Sequence, residues 1–316
     1  MFEGFANHWT PVVLAKRLRR KPLRVVVAGE PVVFFRDSAG EIGALIDRCP
    51  HRGAALSLGR IGNDGCLECP FHGWRFDRAG ANRYTPLNPD AKRDILGATA
   101  LPVRKVGDLI WVRTAPGVDA QDEPNAPDGL TAPGLTRVYL ERLWECHWTR
   151  AMENMLDSPH LPFVHRRTIG RVMRRRLKPD SRLDVRWEET SYGGRTWAGL
   201  DGEERGAYLD YFRPNIMVLN IPIPGRHFRI HALVIPEAAG RTRLMLVGSR
   251  DFAKWRMLNP LFSWQNGYIA GEDKAVVEST GPTEVPPAGT EVSVATDAAT
   301  LQFRKYYYGV LRTSAA

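Results

Sequence analysis

The 316-residue chain is poor in cysteine and has no long hydrophobic run. Four cysteines do not make a disulfide framework in a chain of this length, which indicates a reducing compartment. No stretch approaches the ~18 apolar residues of a transmembrane helix. The first residues, MFEGFANHWTPV, lack the basic and apolar regions of a secretion signal. A G-x-G-x-x-G dinucleotide fingerprint is also missing. These absences predict a cytoplasmic protein that does not enter a membrane and that depends on another protein for reducing equivalents.

The overall composition is that of a globular protein, with 43% hydrophobic and 25% charged residues and enough length for two domains. The net charge is +9, and two basic stretches, 16–24 and 166–178, contribute to it. Neither stretch lies in a nucleic-acid-binding motif, so no nucleic acid partner is expected. Solvated surface is the favoured interpretation, and docking of an acidic protein partner remains open.

Three regions of different character follow one another along the chain. Residues 1–115 alternate short β-branched or aromatic runs, such as Val32–Phe35, with turn residues, which predicts a small all-β domain. Residues 116–135 are rich in Pro, Gly, Asp and Ala and are predicted to be a linker. Residues 136–316 are predicted to form a second domain with an antiparallel sheet and helices against it. The predicted fold class is therefore α+β.

In the second domain both strands and helices can be read from the pattern. Strands are predicted at 183–188, 208–221, 227–235 and 244–247 from alternating or continuous apolar residues. A helix is predicted at 148–156, which lacks Gly and Pro, and further helices are predicted at 259–277, after its first residues, and at 298–311.

Two short cysteine–histidine motifs carry the strongest chemical signal. Cys49 and His51 form C-x-H, and after seventeen residues Cys69 and His72 form C-x-x-H. A [2Fe–2S] cluster with two thiolate and two imidazole ligands needs two short loops that each supply one Cys and one His. An alternative uses Cys66 with Cys69 as a C-x-x-C zinc site together with the histidines. The paired motifs favour the cluster, and Cys66 and Cys146 are then expected to be buried packing residues.

A second constellation, Asp157, His160 and His165, follows the linker. Two histidines and one carboxylate on one side of a metal leave positions open, as in Fe(II) oxygenases. On a straight helix His160 and His165 would lie about 140° apart. Pro162 between them is expected to break the helix and to bring both rings to one ion.

These motifs, with the flanking Asp47-Arg48 and Arg75-Phe76-Asp77, resemble the Rieske non-haem iron oxygenases, in particular the single-subunit vanillate and dicamba O-demethylase oxygenases. The resemblance extends over nearly the whole chain and implies a helix-grip-like catalytic domain. It implies one Rieske [2Fe–2S] cluster held by Cys49, His51, Cys69 and His72. It also implies one mononuclear Fe(II) held by His160, His165 and an acidic residue in the segment Gly271–Glu278. Asp273 matches that ligand position, and its neighbour Glu272 is the alternative.

The resemblance also assigns roles outside the ligand sets. Asp157 would bridge His72 of one subunit to His160 of the next in a head-to-tail homotrimer, and Asn154 would lie near the iron. Electrons would come from a separate ferredoxin or a flavin NAD(P)H reductase. The reaction would consume O2 and a small, largely apolar organic substrate. Monooxygenation or demethylation is favoured over cis-dihydroxylation.

Alternatives of other classes are a Rieske electron carrier without oxygenase chemistry and a zinc-containing nucleic-acid binder. The substrate pocket is expected to be lined from the strands at 208–221 and 227–235 and from the region of Trp264. Within the second strand, His231 is the predicted substrate residue.

Overall fold

The computed structural model describes residues 1–117, 120–203 and 207–313, and they form two compact units. The first unit extends from Met1 to Pro124 and the second from Asn125 to Thr313. The division falls inside the segment 116–135 that the sequence predicts as a linker, and part of that segment forms a short helix at Asp128–Thr131. The mixed α+β class is confirmed.

The first unit is built from ten strands, and its described residues contain no α-helix. The strands are β1 (Trp9–Leu14), β2 (Leu23–Val27), β3 (Glu30–Arg36), β4 (Ile42–Ile46), β5 (Arg60–Ile61), β6 (Leu67–Glu68), β7 (Arg75–Phe76), β8 (Asn82–Tyr84), β9 (Val103–Val106) and β10 (Leu109–Arg113). They form three antiparallel sheets, ordered β1-β10-β9, β2-β3-β4 and β5-β6-β7-β8.

Strand β3 buries both of its faces, which explains its continuous apolar run. Val32 and Phe34 pack into a core that includes residues of β1 and β10. Val33 and Phe35 point the other way, into a second core that also contains Cys49 and Cys69. Because side chains alternate along a strand, β3 supports the main core with one face and the two cysteine loops with the other.

The second unit contains one seven-stranded antiparallel sheet, ordered β11-β17-β16-β15-β14-β13-β12. Its strands are β11 (Thr136–Trp144), β12 (Leu183–Thr190), β13 (Gly193–Leu200), β14 (Tyr208–Phe212), β15 (Ile216–Asn220), β16 (Phe228–Ala238) and β17 (Arg241–Arg250). Its helices are α1 (Asp128–Thr131), α2 (Trp148–Leu156), α3 (Leu161–Val164), α4 (Arg171–Arg176), α5 (Asn259–Val277) and α6 (Ala298–Tyr306), which continues as a π turn over Tyr307–Leu311.

Helix α5 lies against the sheet through one face. Asn266, Ala270, Asp273 and Val277 are its buried residues, spaced as expected for a single helical stripe. At Gly267 the helix passes close to β11, where an added Cβ would lie 3.4 Å from Leu140 Cδ2. This face therefore brings Asp273 to the interior of the unit.

The predicted helices at 148–156 and 259–277 are confirmed with those bounds. The apolar stretch 208–221 is two strands, β14 and β15, joined by a turn around Pro214. Six strands were not predicted, namely β1, β7, β8, β9, β11 and β13. In the described part of the chain, no helix combines the length and apolarity required to cross a bilayer.

Two turns of the first unit provide a matched stability test. Asp37–Gly40 and Asp77–Gly80 have the same Asp-x-Ala-Gly pattern, with Gly40 at φ +84° and Gly80 at φ +81°. A Cβ on Gly40 would meet nothing within 4 Å, whereas one on Gly80 would lie 2.1 Å from the Ala98 carbonyl oxygen. Gly40→Ala should cost about 1–2 kcal/mol for the left-handed backbone alone. Gly80→Ala should cost about 1–3 kcal/mol more because of the overlap.

The measurement is the free energy of unfolding of both variants by chemical denaturation. Equal losses in the two variants would contradict the packing of Gly80 against Ala98.

Candidate metal centres

The two cysteine–histidine loops have matching backbone geometry. In the first, Cys49 N–H donates to Ala54 O at 2.8 Å, and Gly53 N–H donates to Cys49 O at 2.9 Å. In the second, Cys69 N–H donates to Trp74 O at 2.8 Å, and Gly73 N–H donates to Cys69 O at 3.1 Å. Both glycines have positive φ, +73° and +69°, which a residue without a Cβ adopts at no steric cost.

The loops place their thiols inside and their imidazoles outside. Cys49 and Cys69 are 3% and 2% exposed, whereas His51 and His72 are exposed. The two imidazole rings lie 4.6 Å apart, and the Trp74 ring stacks on His51 at 4.6 Å with an interplanar angle of 4°. The tertiary structure therefore brings together all four residues that the sequence predicts as cluster ligands.

Burial raises the pKa of the Cys49 thiol to about 11, and the adjacent Cys69 contributes to that rise. The pKa of His51 is lowered by desolvation and by the charges of His72 and Arg52, which disfavours protonation of its imidazole. Two thiols and two imidazoles on paired loops fit the mixed Cys/His ligation of a Rieske cluster, in which the cation ionises the thiols.

The zinc alternative finds no support in the loop geometry. Among the residues that the structure describes, no three cysteine, histidine or acidic side chains of these loops bring ligand atoms within 4.8 Å of one another, as a single ion would require. A two-iron cluster instead takes two ligands on each iron. Cys66 is buried and makes no part of such a group, and Cys146 is buried in the second unit.

The second centre is built where α2 ends and a short helix follows. Helix α2 stops at Leu156, and Asp157 is extended, with ψ 134°. His160 precedes α3 and His165 follows it. The expected break at Pro162 is wrong, because this proline lies in the first turn of α3, where its missing N–H costs nothing. The break occurs at Asp157, and one helical turn separates the two histidines.

Three side chains converge at this point. His165 Nε2 lies 3.0 Å and His160 Nε2 lies 3.6 Å from Asp273 Oδ1. His165 and Asp273 are buried, and His160 is partly buried. The ligand atoms of these three residues lie within 4.8 Å of one another, and Asp273 Oδ1 accepts no hydrogen bond.

The outer nitrogen of each ring has a carboxylate partner. Asp157 Oδ2 lies 2.9 Å from His160 Nδ1, and Glu272 Oε2 lies 2.9 Å from His165 Nδ1. A carboxylate only accepts, so each Nδ1 carries the hydrogen, and in a neutral ring Nε2 then presents a lone pair. Two lone pairs and a carboxylate oxygen then face one another in a buried site. Such an arrangement is repulsive unless a cation lies between them, and two histidines with one carboxylate suit a non-haem iron.

The geometry distinguishes Asp273 from Glu272. Asp273 belongs to the converging set, whereas Glu272 lies behind His165 and also accepts a hydrogen bond from Thr168 Oγ1 at 2.7 Å. Burial, the largest single effect, lowers the pKa of His165, but Asp273 and then Glu272 outweigh it and the net pKa is raised. The neighbouring acids therefore attract positive charge to this ring.

Helix α2, which leads into Asp157, is anchored to the C-terminal part of the chain by Arg150. Arg150 donates to Pro282 O at 2.9 and 3.0 Å and to Glu291 Oε1 at 2.8 Å. Asn154 and Asp157 line an adjacent cavity of about 270 Å³. Asp157 also accepts a hydrogen bond from the His160 backbone N–H at 2.9 Å.

His231 does not lie on the side of the sheet that faces the metal residues. It pairs with Val247 in register, whereas Leu246 and Leu140 point towards α5. Its ring is fully buried beneath Gly129 of α1, its Nδ1 contacts Val247 O at 2.9 Å, and burial lowers its pKa to about 4. Its Nε2 is buried without a hydrogen-bond partner among the described residues, and the role of His231 as a substrate residue stays a prediction. Trp264 is 67% exposed rather than enclosed.

A buried amide that the sequence analysis missed lies on the face of α5 that packs against the sheet. Asn266 precedes Asp273 by two helical turns on the same buried face of α5, and it is 7% exposed. Its Nδ2 lies 3.4 Å from the Cβ position of Gly248, and its amide makes no hydrogen bond to any described residue. The sequence could have indicated Asn266 through its spacing of seven residues from Asp273, which places both side chains on one face of a helix.

Comparison with known proteins places this geometry in a family. Residues 8–102 match the Rieske [2Fe-2S] domain, and residues 144–312 match the vanillate O-demethylase oxygenase C-terminal domain. The chain therefore belongs to the Rieske non-haem iron oxygenases, as an oxygenase component. The predicted family, enzyme class and pair of cofactors are confirmed: the Rieske domain indicates a [2Fe–2S] cluster, and the family uses a mononuclear non-haem iron at its catalytic site.

Individual relatives differ in length. The chain is 29% identical to methylxanthine N3-demethylase NdmB of Pseudomonas putida, covering 95% of this chain and 88% of the relative. The solved structure of NdmB has a TM-score of 0.79 and covers 98% and 92% of the two chains at 26% identity. Dicamba O-demethylase of Stenotrophomonas maltophilia is 27% identical over 86% of this chain and 87% of its own. Chlorophyllide a oxygenase of Chlamydomonas reinhardtii is 30% identical, but the chain spans only 43% of its length.

The cluster ligands can be tested against the spare cysteine of the same loop region. Cys69→Ser should abolish the visible absorbance and the reduced [2Fe–2S] electron paramagnetic resonance (EPR) signal, because a thiolate ligand is lost. Cys66→Ser should keep both, because Cys66 belongs to no ligand group. Absorbance, EPR and iron content of anaerobically purified protein are the measurements. Full cluster occupancy in Cys69→Ser would refute the ligand assignment.

Proposed function

We propose that this chain is a terminal oxygenase that hydroxylates or demethylates a small organic substrate. Cys49, His51, Cys69 and His72 would hold the cluster, and His160, His165 and Asp273 would hold the mononuclear iron. The observation that carries the proposal is the convergence of two imidazole lone pairs on the buried Asp273 Oδ1. This donor set supports an oxygenase rather than an electron carrier, because a carrier needs no second iron.

The net reaction joins a substrate C–H bond, O2, two electrons and two protons to give an alcohol and water. When bound, the two iron centres supply electron transfer and O2 activation. The protein residues hold the imidazoles in the Nδ1–H form and keep Asp273 shielded from solvent. Since the chain has no dinucleotide fingerprint, the electrons are proposed to come from a separate ferredoxin or flavin NAD(P)H reductase.

Asp157 is proposed to join the two centres across a subunit boundary in a homotrimer. Its Oδ2 contacts the backbone N–H and the ring Nδ1 of His160, while its Oδ1 has no hydrogen-bond partner among the described residues. The carboxyl group remains 25% exposed, so Oδ1 can accept an N–H from His72 of a neighbouring subunit. Asn154, one turn earlier on the helix, is proposed to lie near the iron, beside the path that electrons take through Asp157.

The proposed substrate lies between α5 and the sheet. Leu140, Leu246 and Ile230 share the sheet face that α5 covers, which favours a largely apolar molecule. Asn266 is the one buried polar side chain in the described part of α5 that is free to bind a hydrogen-bonding group on it. Demethylation is favoured because NdmB and dicamba O-demethylase, both demethylases by name, match nearly the full chain.

The test is a screen of aromatic and heteroaromatic O-methyl and N-methyl compounds with a surrogate reductase. Demethylation should release formaldehyde with one O2 consumed per product. A product that gains two hydroxyl groups would instead indicate cis-dihydroxylation. Absence of substrate-dependent O2 uptake in protein loaded with both metals would count against the oxygenase.

Asp157→Asn should keep both metals and the fold but lose most of its turnover. An amide has one good acceptor and two donors, so one of the two proposed histidine contacts must weaken. Single-turnover oxidation of the cluster, with substrate and O2 present, is the measurement, alongside metal content and light scattering. Near-normal cluster oxidation in the fully metallated variant would mean that electrons do not pass Asp157.

A further inference from the structure

The second iron histidine has its own acidic partner, which comes from the same helix as Asp273. Glu272 Oε2 lies 2.9 Å from His165 Nδ1. Glu272 is largely shielded, with a side-chain exposure of 17%, and His165 has only 2%. A partly buried carboxylate opposite a metal-binding ring fixes the tautomer, orients the ring and raises its basicity.

Glu272 is itself held in place by the loop that follows His165. Thr168 Oγ1 donates to Glu272 Oε2 at 2.7 Å, and the Thr168 backbone N–H donates to His165 O at 3.0 Å. Gly170 N–H donates to the same His165 oxygen at 3.0 Å. A closed ring of contacts therefore runs from the His165 imidazole to Glu272, to Thr168 and back to the His165 backbone.

This ring connects segments that are 107 residues apart in sequence, the end of α3 and the last third of α5. Those two segments carry two of the three proposed iron ligands. The contact between Glu272 Oε2 and His165 Nδ1 is a direct side-chain link between these two segments.

We propose that Glu272 is a positioning residue for the mononuclear iron: with Thr168 it holds the His165 ring at the distance and angle that a metal needs, and its charge makes that ring a stronger donor. This inference rests on the proposed iron site of His160, His165 and Asp273. Glu272 does not touch the iron in this arrangement. Asp157 has the corresponding position behind His160, but only Glu272 joins two ligand-bearing segments.

The experiment compares paired variants in the full-length protein with its cluster in place. Fe(II) is added to saturation, a chelator is titrated in, and the mononuclear iron that remains is read from the EPR signal of its nitric oxide adduct. Glu272→Ala should bind Fe(II) about 10–100-fold more weakly than wild type. Glu272→Gln keeps one oxygen that can accept from both His165 and Thr168, so its affinity should fall less than tenfold.

Two further measurements distinguish a role of Glu272 in positioning His165 from a role in packing alone. Thr168→Val should weaken iron binding to a level between wild type and Glu272→Ala, whereas Thr168→Ser, which keeps the hydroxyl, should match wild type. The midpoint potential of the mononuclear iron should rise in Glu272→Gln, because a neutral amide stabilises the ferric state less than a carboxylate does.

The outcomes distinguish this inference from the iron site on which it rests. Asp273→Ala should lose the mononuclear iron while the cluster remains. If Asp273→Ala loses iron but Glu272→Ala binds it within twofold of wild type, the role of Glu272 is overturned and the iron site stands. Equal losses in Glu272→Gln and Glu272→Ala would also overturn it, since the glutamine retains the acceptor. Normal iron binding by Asp273→Ala would overturn the iron site itself.

Discussion

The approach of His160 and His165 to the buried oxygen of Asp273 is the contact on which the catalytic unit depends. Three electron-pair donors meet there when both rings are neutral, and the acids around His165 favour positive charge at this point. They are held by what lies behind them: Asp157 behind one ring, and Glu272 with Thr168 behind the other. The unit therefore holds the three donors where one cation would contact all of them.

The sheet and its helices provide the rigid frame for that arrangement. Helix α5 presents Asp273 and Asn266 on one buried stripe, and its close passage over β11 at Gly267 sets its height above the sheet. Helix α2 is fixed by the contacts of Arg150 with Pro282 and Glu291, so the chain leaves it at Asp157 in a defined direction. Metal ligands on rigid elements keep their geometry better than ligands on free loops.

The first unit uses a different device to present its ligands. The two cysteine loops repeat the same backbone hydrogen bonds and each turn at a glycine with positive φ. The reverse face of β3, through Val33 and Phe35, packs into the core that contains both cysteines. The thiols are thus fixed in an apolar interior, while the histidines remain at the surface, where an electron donor can approach them.

The sequence by itself predicted the type of both centres, although it left Asp273 and Glu272 as alternatives for the third iron ligand. The paired motifs at Cys49 and Cys69 contain ligands, turns and glycines within a few residues, so local pattern was sufficient. Helices α2 and α5 were likewise predicted from the sequence, α2 because it lacks Gly and Pro and α5 although it contains Gly267 and Gly271. Strands β1, β9, β11 and β13 were not, because pairing with neighbouring strands contributes to strand formation as much as their own residues do.

Only the tertiary structure decided which polar residues face the metals. His231 and Asn266 look equally plausible as isolated polar residues in apolar surroundings. Register and helix phase place the histidine under Gly129 and the amide over Gly248. Adjacent residues on α5 also diverge in this way: Asp273 points to the ligand group and Glu272 to the far side of His165. Such choices depend on contacts between residues about a hundred positions apart, which no local pattern contains.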